Sequence, residues 1–245
     1  YQGSFNGKSF DFAKIINLPF ELQSDFNFDI NGQGFDEENL KSSVVGQMNN
    51  VAINSYSYKK IIINGDVSDK LFTGSLIVDD DNLNLNFDGL INYSNDLVKY
   101  DFNTNIKKAN LSEINFSKVE GQSILGNINA KLIGENFQSM IGDLSFTDFI
   151  LTGLDDEYKF ENLTIQSRIN NEKRFFNIDS EDAVSGILIG DFNFLLLPAL
   201  MKNSIFSGYK NYLSTKDNSE FDLSFNLNLK PKFANIISKK FTFSS

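Results

Sequence analysis

The sequence has no cysteine, no histidine and no tryptophan, and only three prolines in 245 residues. Without cysteine there is no disulfide framework, although this does not locate a compartment, because many exported bacterial proteins lack cysteine. Without histidine or cysteine there is no common catalytic triad, no thiol nucleophile and no imidazole metal ligand. The net charge of −10 argues against nucleic acid, whose phosphates require a surface of clustered Lys and Arg, and against tight docking on anionic lipid headgroups. The longest apolar run, Phe194–Met201, is far short of the ~20 residues that span a bilayer. The chain opens Tyr1-Gln2-Gly3 without a charged-then-apolar leader, and Phe241–Ser245 reads as the start of a strand. It is therefore expected to be an internal segment of a longer protein, with any signal or anchor outside it.

Three short motifs invite a ligand and fail on spacing. Gly3-Ser4-Phe5-Asn6-Gly7-Lys8-Ser9 is one residue too short for a phosphate loop. Gly32-Gln33-Gly34 lacks the third glycine of a dinucleotide fingerprint and reads as a turn. Asp79-Asp80-Asp81 and Asp155-Asp156-Glu157 lack the ligand spacing of a calcium loop and read as solvated turns. No catalytic residue, metal or cofactor is expected.

What the sequence does contain is alternation. Leu83, Leu85 and Phe87 alternate with Asn82, Asn84, Asn86 and Asp88. Upstream, Phe72, Leu76 and Val78 stand against Thr73, Ser75 and Asp79; downstream, Val98, Tyr100, Phe102 and Ile106 stand against Lys99, Asp101, Asn103 and Asn105. A period of two marks strands with one apolar and one polar face. Short links at Asp79–Asp81 and Ser94–Asp96 make them an antiparallel meander.

The same pattern runs along the chain. Ser4–Glu21 holds one expected strand, and Phe26, Phe28 and Ile30 alternate with Asp25, Asn27 and Asp29. Phe35–Leu40 reads as one helical turn with its acids early. Strands are expected near Val44–Met48, Val51–Tyr56 and Tyr58–Val67, then a polar connector over Asn110–Lys118 that contains Leu111 and Ile114. Further strands fall near Asp143–Leu151, Tyr158–Ile169, Arg174–Ser180 and Val184–Phe192. Leu197, Met201, Ile205 and Tyr209 recur every four residues, which predicts an amphipathic helix over Phe194–Leu213.

The pattern also repeats at long range. A shift of about 102 positions carries Leu22, Phe26, Ile30 and Gly32 onto Ile124, Ile128, Leu132 and Gly134, and Phe221–Leu229 reads as a third copy. The division expected is a first unit over 1–120, a second with the helix over 121–218, and the start of a third over 219–245. Pattern alone leaves two architectures open: sheets closed over a core, or one long sheet curled into a trough.

The stretch Phe72-Thr73-Gly74-Ser75-Leu76-Ile77-Val78-Asp79-Asp80-Asp81-Asn82-Leu83-Asn84-Leu85-Asn86-Phe87-Asp88-Gly89-Leu90 resembles the recurring strand pair of the TamB branch of the AsmA-like superfamily. Tyr58-Lys59-Lys60-Ile61 before Gly65, and Gly190-Asp191-Phe192 leading to Pro198, are similar to stretches that flank it there. Asp81 departs from that pattern, in which proline is common. The resemblance implies an all-β fold, an elongated antiparallel sheet curled into a β-taco trough, with short helices. It implies no enzyme but a periplasmic bridge in Gram-negative cells that carries phospholipid between inner and outer membranes.

On that reading the lining is Phe26, Phe28 and Ile30, then Phe72, Leu76 and Val78, then Leu83, Leu85 and Phe87. It continues through Val98, Tyr100, Phe102 and Ile106 to Ile124, Ile128 and Leu132. Partners implied are phospholipid, an outer-membrane barrel or lipoprotein, and the inner membrane through a region outside this segment. The alternative is a scaffold for outer-membrane protein assembly with a closed core.

Overall fold

A computed structural model describes residues 1–15, 21–34, 39–68, 70–93, 97–136, 138–153, 157–171, 173–182, 184–190 and 224–229. Alternation is realised as β1 (Gln2–Asp11), a single helical turn α1 (Phe12–Ile15), β2 (Gln23–Gln33), β3 (Lys41–Ile53), β4 (Tyr56–Ser68), β5 (Leu71–Asp79) and β6 (Leu83–Asn92). There follow β7 (Val98–Asn110), β8 (Ser123–Gly134), β9 (Ile141–Thr152), β10 (Glu157–Asn170), β11 (Lys173–Ser180), β12 (Val184–Gly190) and β13 (Ser224–Leu229). These form one sheet of 13 strands in sequence order. Every neighbouring pair is antiparallel, from β1·β2 to β12·β13. The protein is thus all-β, as the alternation implies, and its sheet is a long one, as the resemblance implies.

Several sequence expectations change in detail. Gly3–Ser9 lies inside β1, paired with β2 up to Gly7 and bulged at Ser9, not in a loop between a strand and a helix. Val51–Tyr56 is not a separate strand: Val44–Met48 and Val51–Ile53 both belong to β3. The chain turns back at Asn54 and Ser55, with φ of 51° and 60°. Two consecutive positive φ values make a type I′ turn, whose twist matches the flanking strands. The expected turn over Phe35–Leu40, the link Ser94–Asp96 and the helix Phe194–Leu213 lie wholly or mostly outside the described residues.

Strand polarity bears on the repeat. β2 and β8 run in the same direction, while β13 (Ser224–Leu229) runs opposite to both. The sheet also crosses position 120 without a break, since β7 pairs with β8 from Val98↔Gly134 to Asn110↔Ser123.

Two features interrupt the regular pleat of the sheet. The first is a row of glycines at one level on β4, β5 and β6, where Gly65 pairs with Gly74 and Gly74 with Gly89. A Cβ on Gly74 would lie 2.3 Å from the Asn64 carbonyl oxygen, so the backbones approach there more closely than any side chain permits. Phe72, Phe87 and Phe102 lean over this row, with ring centroids 6.5 and 5.2 Å apart in succession. The second is bulging. Ser9, Asn50 and Asp148 have φ of 48°, 53° and 49°, and the pairing register shifts beside each of them and again in β7. Bulges of this kind bend a strand and re-aim its side chains.

Candidate functional site

All the lining positions expected from sequence share one face. The register runs Phe26↔Met48↔Ile61↔Val78↔Leu85↔Ile106 across β2 to β7. A second row runs Leu76↔Phe87↔Thr104↔Ile128↔Phe146. A third joins Phe72, Ile91, Tyr100 and Leu132, and a fourth joins Leu83, Ala109 and Ile124. Phe28 and Ile30 enter the same face opposite Gly46 and Val44, and Val98 opposite Gly134. Asn86 and Asn103 lie on the other face, opposite Ile77 and Asp88, as do Asn84 and Asp101, opposite Asp79 and Leu90.

Burial on this inner face is uneven. Phe28, Val78 and Ile106 are buried, and the other expected lining residues are only half-buried. The deepest point lies at the rim that carries α1, the Asn54–Ser55 turn, residues 80–82 and the loop 111–122. There Phe28, Met48, Val51, Tyr58, Val78 and Ile114 form one packed cluster, with Phe12, Leu22 and Leu111 against it. Val51 is fully buried, and Ile114 retains 2% of its surface.

Alternation misses several of these residues for a physical reason. Met48 and Val51, or Ile106 and Ala109, stand three apart and would face opposite ways on a regular strand, yet both members of each pair are buried. The bulge between them restores the inward direction. Phe146 and Phe149 likewise meet at 5.0 Å across the Asp148 bulge. An asparagine at the odd position of Asn49-Asn50 was the available signal, since asparagine tolerates positive φ. Ile114 sits in a connector read as polar, and nothing in its neighbours' letters marks it as core.

The same rim is held by a buried carboxylate. Asp80, 7% exposed, accepts hydrogen bonds from the Tyr56 hydroxyl at 2.6 Å and from the amides of Lys59 and Asn82 at 3.0 and 2.9 Å. Asn82 in turn binds the Tyr56 hydroxyl at 3.2 Å and accepts from Asn110 at 2.8 Å. The Asp79–Asp81 turn is therefore not simply solvated, because its central residue is the acceptor that ties β4, β5 and β6 together. Burial pushes the Asp80 carboxyl up, but the Tyr56, Asn82 and Lys59 hydrogen bonds outweigh it and hold the pKa below 3.8. Burial, reinforced by Asp80, raises the Tyr56 hydroxyl above 10.0.

Among the described residues the inner face carries one buried cation. Arg174, 8% exposed, stands at an apolar parity with Phe176 and Ile178. It donates to the Ser167 hydroxyl at 2.6 Å, to Met140 O at 2.7 Å and to Gln138 O at 2.6 Å. It thus pins the β8–β9 connection over the ends of β10 and β11. On the outer face, asparagines pair across strands: Asn105 with Asn127 at 2.7 Å, and Asn129 with Asn103. They line a shallow groove of mixed polarity with Ile77, Ser145 and Thr147.

Among the described residues no group of His, Cys, Asp or Glu could hold a metal ion, and no helix is long and apolar enough to cross a membrane. The fold and face define a class: an all-β protein built on one long antiparallel sheet with a mainly apolar inner surface and an outer surface rich in asparagine and aspartate that also exposes Val45, Ile77, Ile133 and Ile187. No family model, curated protein or solved structure matches the chain.

Proposed function

We propose that this chain is a segment of a periplasmic bridge whose sheet carries phospholipid between the inner and outer membranes. The observation that carries the reading is the continuous inner face from β2 to β8, whose side chains are mainly apolar and for the most part only half-buried. Such a surface has a use if hydrocarbon covers it. At ~0.8 kcal/mol per methylene, a tail of about 16 carbons gains on the order of 10 kcal/mol from a dry apolar trough. Leucine, isoleucine and phenylalanine repeated at every strand give similar energy at each step, so a tail slides without deep wells. The sequence resemblance to the TamB branch supports the same reading, with an outer-membrane barrel or lipoprotein as the far partner.

Native mass spectrometry of the segment purified from Gram-negative cells tests the proposal. Co-purifying phospholipid is the expected result, and a clean apo mass overturns it. One observation favours the scaffold alternative: around Val51 and Ile114 the face is already closed by the protein itself.

A further inference from the structure

The closed end of the inner face is covered by a loop that is folded on itself. Residues 111–122 begin and end together, with Leu111 N donating to Gln122 O at 2.8 Å. Phe116 N and Ser117 N return to Leu111 O at 2.8 and 3.0 Å, and Val119 N donates to the Ser117 hydroxyl at 3.0 Å. This is an Ω-type loop, a compact unit whose ends are close and which holds hydrogen bonds of its own. Its base is fixed: Asn110 bonds Asn82 through both backbone and side chain at 2.8 Å. Its far side is held lightly. Asn54 donates to Asn115 O at 2.9 Å and Asn115 to Asn54 O at 3.1 Å, in an exposed reciprocal pair. Beyond that pair, Ile114 and the half-buried Leu111 are its apolar anchors, while Phe116 is 67% exposed.

We propose that Ile114 occupies an acyl-chain site. Its side chain fills the apolar end formed by Phe28, Met48, Val51, Tyr58 and Val78, where the terminal carbons of a lipid tail would otherwise lie. The loop is then an internal competitor that swings about Asn110 when hydrocarbon enters, and it reseals the end when the tail leaves. This rests on the conduit reading above and adds to it a defined subsite with a built-in plug. The apparent affinity for lipid is lowered by the fraction of molecules in which the plug is seated.

The test uses the Asn54→Cys/Asn115→Cys variant, in which the two cysteines are the only ones in the chain. The probe is fluorescent phosphatidylethanolamine with 16-carbon chains. Oxidation should lock the loop shut and weaken binding about tenfold relative to the reduced form, while Ile114→Ala should tighten it about tenfold, as expected when a competing state is removed. Equal binding by the locked and reduced forms overturns the plug and leaves the conduit standing. No binding by any form overturns both. Should Ile114→Ala fail to fold, the lock alone decides, because both of its states have identical sequence.

Discussion

The Tyr56 hydroxyl donates a 2.6 Å hydrogen bond to the Asp80 carboxylate, joining the start of β4 to the end of β5 at the closed rim. Removing it strands a buried acceptor that has only two backbone donors besides. Tyr56→Phe should cost about 1.5–3 kcal/mol, the range for a hydrogen bond to a charged group. A chemical-denaturation series with an unchanged slope would establish it.

The same pair sets the pH range of stability. Asp80 binds its proton less readily in the folded protein, so its stabilisation is complete above about pH 4 and falls as pH drops through the folded pKa. Tyr56 and Tyr58, both raised chiefly by burial, hold their protons more readily in the folded protein. Their contribution is full below about pH 10 and is lost above it. Thermal melts should show a plateau between these limits, and Asp80→Asn should flatten the acid side.

The glycine row is expected to be intolerant. Gly74→Val places a Cβ on the Asn64 carbonyl and should destabilise by on the order of 1–3 kcal/mol through backbone strain. Thr73→Val, one residue away on the outer face, should be nearly neutral. Melting temperatures of the two variants make the comparison.

Face assignment can be read chemically. Cysteines placed one at a time at Asn86, Asp101 and Asn103 should react quickly with a charged thiol reagent. Cysteines at Leu85, Phe102 and Ile106 should react slowly. The reverse pattern would contradict the register.

A charge on the inner face should stop lipid passage. Leu85→Asp puts a carboxylate opposite Val78 and Ile106, where a dry site costs several kcal/mol or draws in water. The full-length protein carrying it should fold yet fail to restore membrane integrity in cells lacking the protein. Full restoration would remove the main support for a conduit.

Most of the sheet was legible because alternation is a local property. Each of Leu83, Leu85 and Phe87 faces inward for the reason its position implies, and so do Val98, Tyr100 and Phe102. Legibility failed where the backbone leaves the regular pleat. Val51 and Ala109 depend on bulges, whose positive φ at Asn50 and displaced register at Lys107–Lys108 leave little trace in hydropathy. The Asn54–Ser55 hairpin lacks the glycine that commonly marks a type I′ turn. Ile114 and Arg174 were hidden for another reason: each is placed by a contact with a distant strand, not by its neighbours in sequence.

The order of the strands has a consequence for how the sheet comes to exist. Each strand pairs only with the ones before and after it in the chain, so none waits for a partner still to be made. Assembly then consists of successive hairpin closures, most with a short loop and a small entropic cost; the links from β1 to β2, from β7 to β8 and from β12 to β13 are longer. A chain delivered from its amino end can zip up in the order in which it emerges. The growing edge is at every moment a single strand long, and the next hairpin covers it.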